Sequence, residues 1–560
     1  MFHTRTVFTL FALLFCHAAA AETLPGIAVA SAHPLATRAG VSILNQGGNA
    51  FDAAVAVAAS LAVVEPQGSG LGGGGFWLLH RTADGKDIML DGRERAPLAA
   101  RRDQYPDASS SIDGPLAAAI PGMPAALVHL ADHYGKLPLS VSLAPAVDLA
   151  SQGFSVGDRY LKALTSRQNA IASSPAAQAI FLAHHRLPVR GERLIQADLA
   201  DTLERMAHEG RRGFYDGLTA QNLVRGVRQA GGNWTQEDLM TYRVVEREPL
   251  KGTYRGMRLT TVAPPSAGGV GLIEMLNILA DQDLFSLPAT TQKHLVVEAM
   301  RRAYHDRERY LGDPDFVPIP LLRLLSPNYA AGLSSTLRED KATPSGYFNA
   351  ARVTAVDGAN TSHYSILDSD GNRVAATLSI NYGFGSGFVA PHTGVLLNDE
   401  MDDFATRPGS PNVYGLVGGE ANAIAPGKRM LSSMTPTFIE TADAVGIMGT
   451  PGGSRIVTMV LLAILDFAEG HGPASWVSLP RFHHQYLPDV IEYEPGSLTT
   501  TELDALERLG HTLKATPAPY GDFHAILWNR QTGTLEAASD PRGEGLALVQ
   551  HKSHTPSTDN

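Results

Sequence analysis

The chain has 560 residues, 44% of them hydrophobic and 18% charged, enough apolar material for a large packed core. A formal charge of −11, with no long basic run to offset it, excludes a general affinity for nucleic acid or anionic lipid. The expected partner is a small molecule.

The first residues, MFHTRTVFTLFALLFCHAAAAET, place Arg5 ahead of an apolar stretch from Val7 to Cys16, followed by alanines that offer an A-x-A site ending near Ala20 or Ala21. This is the pattern of a secretory signal peptide over residues 1–21. The apolar stretch is about half of the roughly 20 residues needed to cross a bilayer. Its removal takes away the one cysteine, so the mature protein is expected to hold no disulfide, thiol nucleophile or zinc-thiolate site, no membrane span, and to be periplasmic or secreted.

Next, HPLATRAGVSILNQGGNAFDAAVAVAASLAVVEPQ reads as two helices punctuated by Gly47 and Gly48. The second, Phe51 to Val64, is apolar nearly all round and predicts a core helix. Gly70, Gly72 and Gly75 match G-x-G-x-x-G, but a helix precedes them and a strand follows, the reverse of the order that aims a helix N-terminus at a pyrophosphate. Close backbone packing is the expected role of this run. From Pro115 to about Asp340 the pattern is mostly helical, including Gln292 to Tyr310, and reads as covering layers. The pairs His184-His185 and His483-His484 point in different directions on any regular element, which favours surface or structural roles over metal binding.

From Thr361 to Leu367 and from Arg373 to Ile380 the chain alternates in period two around DSDGN, where Gly371 suits a left-handed turn residue. The glycine position and the lack of a closing glutamate do not fit a calcium loop. A three-residue loop, Ser369 to Gly371, makes Asp368 face Asn372 and Thr361 face Ser379, with Thr361, Ser379 and Asn381 on one sheet face. Spacing alone leaves two readings open: a Thr/Ser cross-strand pair, or a reaction centre. No His/Asp triad is evident. A threonine can instead become its own base if the Asn360-Thr361 bond is cut, because the new α-amine, with a pKa of about 7.7 to 8.0, then lies within reach of the hydroxyl.

These residues belong to a wider pattern. GANTSHYSILDSDGNRVAATLSINYGFGSG, GVLLNDEMDDF, PNVYGLVGGEANAIAPGKRMLSSMTPT and GTPGGSRI, together with DGRERAP and the early GNAFDAAVA, in their joint order and spacing along the chain, closely resemble the γ-glutamyltranspeptidase family, from about Gly26 to Val549. The resemblance implies an α/β fold of the N-terminal nucleophile hydrolase type, a four-layer α/β/β/α sandwich. It also implies a precursor cut autocatalytically before Thr361 into a large subunit (22–360) and a small subunit (361–560), which form one composite domain as a heterodimer.

The resemblance also implies roles. Thr361 is the nucleophile, and Ser379 stands where the family usually has a second threonine assisting it. Gly452 and Gly453 of TPGGS match the pair whose N–H groups form the oxyanion hole. Arg93, with Ser432 and Ser433, matches the grip on a substrate α-carboxylate; Asn381, Glu400 and Asp403 match the residues that hold its α-ammonium. Some members have glutamine at Glu400. Residues Pro408 to Lys428 resemble a lid, with Tyr414 closing it.

The implied chemistry is hydrolysis and transfer of γ-glutamyl groups from glutathione and related amides to water, amino acids or dipeptides, with no metal or organic cofactor required. Two alternatives remain at this stage: a β-lactam side-chain (glutaryl or cephalosporin) acylase on the same scaffold, and a non-catalytic periplasmic amino-acid-binding protein. Only the enzymes are expected to cut themselves.

Overall fold

Asn49 and Asp52 close a capping box that starts the helix Ala50–Val64, and all 15 residues of that helix are buried. With the helix Pro34–Asn45 it covers one face of a seven-stranded antiparallel sheet. The computed structural model describes residues 24–106, 109–182, 185–348, 361–406, 409, 411–412 and 414–551. The segment read as a signal peptide, His184, Asn360 of the expected cleavage bond and Pro408 of the expected lid lie outside the described residues.

In spatial order the first sheet runs Leu546–His551, Gly26–Ser31, Ser362–Leu367, Arg373–Ser379, Gly74–Arg81, Lys86–Gly92 and Val245–Arg247. The hairpin forms in the expected register: Leu378 faces Ser362 and Arg373 faces Leu367, with Asp368 N–H bonded to Asn372 O at 3.0 Å. Gly371 has φ +87, as the turn requires. The Asp368 carboxylate also accepts the Ala50 N–H at 2.9 Å, tying the turn to the start of the core helix.

Alternation along these strands sorts side chains to two different neighbours. Tyr364 and Ile366 point to the helices, where Tyr364 donates to Ala54 O and accepts from Trp77 Nε1. Ala28, Ala30, Leu78, Leu367 and Ala375 point the other way and pack against Phe438, Val445, Ile447 and Ile526 of a second sheet. That second sheet runs Leu535–Ser539, His524–Asn529, Ala444–Gly449, Thr437–Glu440, Met257–Thr261 and Leu250–Tyr254, all antiparallel. Its outer face, with Leu259, Ile439 and Met448, is covered by the helices Gly268–Leu279, Ala289–Tyr310 and Ile456–Ala468. The layers are therefore helix, sheet, sheet, helix. Among the described residues, no helix is long and apolar enough to cross a membrane.

One expectation needs correcting. The stretch from Pro115 to Asp340 is not only a helical cover, because Val245–Arg247 closes an edge of the first sheet while Leu250–Tyr254 and Met257–Thr261 extend the second. These strands are only three to five residues long and partly exposed, so their alternation is too brief to stand out from the helical segments around them.

The glycine run behaves as expected. A Cβ on Gly72 would meet the Leu396 carbonyl, and one on Gly73 would meet the Ser379 carbonyl, each far inside contact distance. Small residues here let the segment lie directly against the backbone that ends the hairpin. His483 and His484 are buried and structural: His483 bonds Thr458 and Gln485, and His484 bonds Asp489.

Candidate active site

Thr361 stands at the head of strand Ser362–Leu367, in the middle of the first sheet, and its Oγ1 is 3.5 Å from Ser379 Oγ across the hairpin. Ser379 Oγ accepts the Asn381 N–H at 2.7 Å, which fixes the rotamer of the serine and leaves its proton to donate elsewhere. Asn381 takes a left-handed conformation, φ 71, that turns the chain out of the strand; its Nδ2 donates to Asp399 O at 3.1 Å.

His363, on the same sheet face as Thr361, is not poised as a base for it. Its ring nitrogens meet Thr377 Oγ1 at 2.9 Å and Ser365 Oγ at 3.3 Å. Burial, reinforced by His524, pulls its pKa well below the ordinary range. Behind the hairpin, Ser362 Oγ donates to Glu65 at 2.5 Å, and Glu65 pairs with Arg159 at 3.4 Å.

Arg93 follows directly on strand Lys86–Gly92. Its backbone is held by Asp91 (N–H to Oδ1, 2.9 Å) and by the Tyr242 hydroxyl, which donates to its carbonyl at 2.7 Å. The guanidinium donates to Glu400 and to Asp403 at 2.5 Å each, to Glu94 at 3.3 Å and to Met430 O at 3.3 Å. Glu400 and Asp403 stand on a 3-10 turn, Glu400–Asp403. Asn398 accepts the Glu400 N–H and donates to Gly72 O and Ala119 O, pinning this turn to the glycine run.

Arg93 and the carboxylates of Glu400, Asp403 and Glu94 are thus in direct contact. One buried cation gathers carboxylates from three directions. Burial opposes the charge on Arg93, but Glu400, Glu94 and Asp403 outweigh it and hold the guanidinium charged. Burial also raises Glu400 well above the usual carboxylate range: Arg93 opposes this, while Glu94 and Asp403 add to it. Burial lifts Glu94 to about 7. Burial and mutual crowding thus favour the protonated forms of Glu94 and Glu400.

These groups line one cavity of about 20 Å³, room for about one water. Thr361, Ser379, Asn381, Arg93, Glu400, Asp403, Ser432, Ser433, Tyr414 and Gly453 all face it. Gly452 is adjacent to the cavity lining without being part of it. Neither glycine N–H has an acceptor among the described residues, and both precede the helix Ile456–Ala468. A Cβ on Gly453 would lie 2.5 Å from the Tyr414 ring, and one on Gly452 2.6 Å from Met459 Cε. Tyr414 covers the cavity and donates its hydroxyl to Asn381 O at 2.8 Å. Ser432 Oγ accepts the Met434 N–H at 3.1 Å, while Ser433 Oγ and Glu400 Oε1 are buried without a partner.

Arg307, on the helix Ala289–Tyr310, also lines this cavity, and the motifs did not point to it. Its helix reads as cover. The available signal was charge: arginines on the buried face of an amphipathic helix ask for partners, and Arg301 and Arg302 have theirs in Glu298.

Two facing antiparallel sheets between helical layers, with a hydroxyl residue heading a central strand, define the N-terminal nucleophile hydrolase class. The sequence profile of the gamma-glutamyltranspeptidase family matches residues 36–549. The glutathione hydrolase proenzyme of Escherichia coli (strain K12) is 41% identical over 525 residues, covering 92% of this chain and 90% of its own. Among solved structures, a cephalosporin acylase from Bacillus halodurans is 28% identical with a TM-score of 0.83, covering 97% of this chain and 99% of that one. The gamma-glutamyltranspeptidase of Helicobacter pylori is 38% identical with a TM-score of 0.55, covering 56% of this chain and 93% of that one. The chain belongs to the γ-glutamyltranspeptidase family.

Proposed function

We propose that the protein is a glutathione hydrolase and γ-glutamyltransferase, exported by a signal peptide over residues 1–21 to the periplasm or beyond and activated by cleavage between Asn360 and Thr361. The observation that carries this reading is the Thr361–Ser379 hydroxyl pair, 3.5 Å apart, on the wall of the same cavity as Arg93, Glu400 and Asp403.

In maturation, Thr361 Oγ attacks the Asn360 carbonyl carbon, the C–N bond breaks, and the nitrogen becomes a free α-amine. Water then hydrolyses the resulting ester, restoring the hydroxyl and leaving a carboxylate on Asn360. The two products, 22–360 and 361–560, stay interleaved: strand Gly26–Ser31 lies hydrogen-bonded between Leu546–His551 and Ser362–Leu367. Parting them would mean breaking the central sheet.

In turnover the α-amine takes the Thr361 proton as the oxygen attacks the γ-carbonyl. Ser379 donates toward the attacking oxygen, and the Gly452 and Gly453 N–H groups receive the oxyanion. The amine then hands the proton to the leaving nitrogen. The resulting γ-glutamyl ester is resolved by water, giving glutamate, or by an amino acid or dipeptide, giving a new γ-glutamyl amide. Arg93, Ser432 and Ser433 take the α-carboxylate; Asn381, Glu400 and Asp403 take the α-ammonium. Substrate entry separates Arg93 from the acidic pair and lifts Tyr414, since the closed cavity is too small for a γ-glutamyl group.

The likeness to a cephalosporin acylase supports a second reading, an acylase on the same scaffold. Glu400 and Asp403 count against it, because a glutaryl side chain has no ammonium for them to hold. Purified protein tests the assignment: N-terminal sequencing of the smaller of two fragments, of roughly 36 and 21 kDa by their share of the 59.5 kDa chain, should begin at Thr361. A γ-glutamyl anilide should release its amine faster with glycylglycine present. A chain that stays whole and inactive would overturn it.

A further inference from the structure

Arg307 is 7% exposed and lines the cavity, yet among the described residues its guanidinium makes no side-chain hydrogen bond and no ion pair, and its Nε is buried without any partner. The other buried arginines of its helix are matched: Arg301 pairs with Glu298 and Asp489, Arg302 with Glu298. A buried guanidinium without an acceptor is costly, so it is retained where a ligand supplies one. Burial pulls its pKa down, opposed by Tyr304, Asp403 and Glu308.

The other unsatisfied atoms in the same cavity say what that ligand is. Ser433 Oγ offers a hydroxyl, and Glu400 Oε1 is an acceptor with nothing to accept. Arg93, by contrast, already spends its donors on Glu94, Glu400, Asp403 and Met430 O. The unmet groups are therefore one cation and one hydroxyl, complementary to a carboxylate, and one carboxylate oxygen, complementary to an ammonium. Together they describe the two charged ends of an α-amino acid.

We propose that Arg307 is a specificity-determining residue of this site, a second guanidinium that binds the substrate α-carboxylate together with Ser433 and Arg93. This rests on the γ-glutamyl reading above. It divides the labour: Arg93 keeps the acidic wall neutralised while the site is empty, and Arg307 supplies the positive charge that is uncommitted when the substrate arrives.

The test uses processed wild type, Arg307→Gln and Arg307→Lys, with a γ-glutamyl anilide and its α-methyl ester as substrates. Expected for Arg307→Gln is a KM for the anilide raised by about 10 to 100-fold with kcat within a few fold, partial recovery in Arg307→Lys, and no change in KM for the ester. The thermal midpoint of the empty enzyme should stay level or rise, because an uncompensated charge has left the interior. A structural arginine would do the opposite, lowering the midpoint and impairing both substrates alike, and that result overturns the proposal, as does an unchanged KM for the anilide.

Glutamate and its α-amide, added as probes in thermal shift, separate this proposal from the activity assignment. If wild type does not cleave the anilide but glutamate stabilises it, the amide does not, and Arg307→Gln abolishes the effect, then Arg307 binds the carboxylate and only the assigned reaction fails. If glutamate and its amide shift both proteins equally, the role of Arg307 fails whatever the activity.

Discussion

The hairpin that carries Thr361 and the wall that carries Arg93 meet in one cavity but are built on opposite principles. The hairpin is regular and central, and uncharged around Thr361: hydroxyls pair across strands, and burial disfavours a charge on His363. Thr361, the proposed nucleophile, is placed by the sheet backbone. The wall is irregular and charged, assembled from a strand end, a 3-10 turn and a loop, and held by ion pairs buried around one guanidinium. Regular backbone fixes a reacting atom without electrostatic cost, whereas recognition of a zwitterion requires buried charges that must neutralise one another until the substrate comes.

This contrast can be broken at either side. Thr361→Ala should leave the chain uncut and lower turnover by on the order of 10⁴ to 10⁶-fold, as loss of a nucleophile does in other acyl-transfer enzymes, with little change in stability; gel analysis and a γ-glutamyl anilide assay check both. Cleavage of Thr361→Ala at the same bond would remove the self-attack mechanism. Arg93→Met should do the reverse, with a large stability loss and a smaller kinetic one. Leaving Glu94, Glu400 and Asp403 without their cation should cost about 3 to 5 kcal/mol in urea unfolding. Loss of a charge-assisted grip should lower kcat/KM by about 10 to 150-fold. The stability loss should shrink as the pH is lowered and the carboxylates protonate.

The same contrast governs what could be read from the sequence. The hairpin was legible down to its register because period-two alternation, a DSDGN turn and a glycine at the left-handed position are all local. The core helix and the glycine run were legible for the same reason. The roles of Arg93, Glu400 and Asp403 came only through likeness to a family, and their contact with one another was hidden, since Arg93 and Glu400 lie 307 positions apart. Arg307 was missed because its helix shows only an amphipathic pattern. The strands Leu250–Tyr254 and Met257–Thr261 were missed because each is only five residues long and half-exposed, too short for its pattern to stand out from the helices around it.

A pH series sharpens the division. If the hairpin contributes only the Thr361 amine, kcat should follow a group near 7.7 to 8.0. The wall should show itself in KM. Burial lifts Glu94 to about 7, and an ammonium is bound best by the deprotonated wall. KM should therefore fall as the pH rises through 7, approaching about tenfold per pH unit on the acid side. Replacing Glu400 by glutamine should flatten that KM profile, leave the kcat profile in place, and raise the urea midpoint by relieving like-charge crowding. A change in the kcat profile instead would mean that wall and hairpin titrate as one unit.

The smallest expected effect tests how the hairpin manages with a serine rather than a threonine at position 379. The methyl group of a threonine restricts χ1; here the Asn381 N–H does the same work, holding Ser379 Oγ at 2.7 Å from outside the side chain. Ser379→Ala should lower kcat by roughly fivefold, the worth of one hydrogen bond of about 1 kcal/mol, with KM unchanged. Ser379→Thr should change kcat by less than about twofold, because the rotamer it would impose is already selected. A large gain in Ser379→Thr would show instead that the serine wanders between rotamers, and that the backbone bond from Asn381 does not hold it.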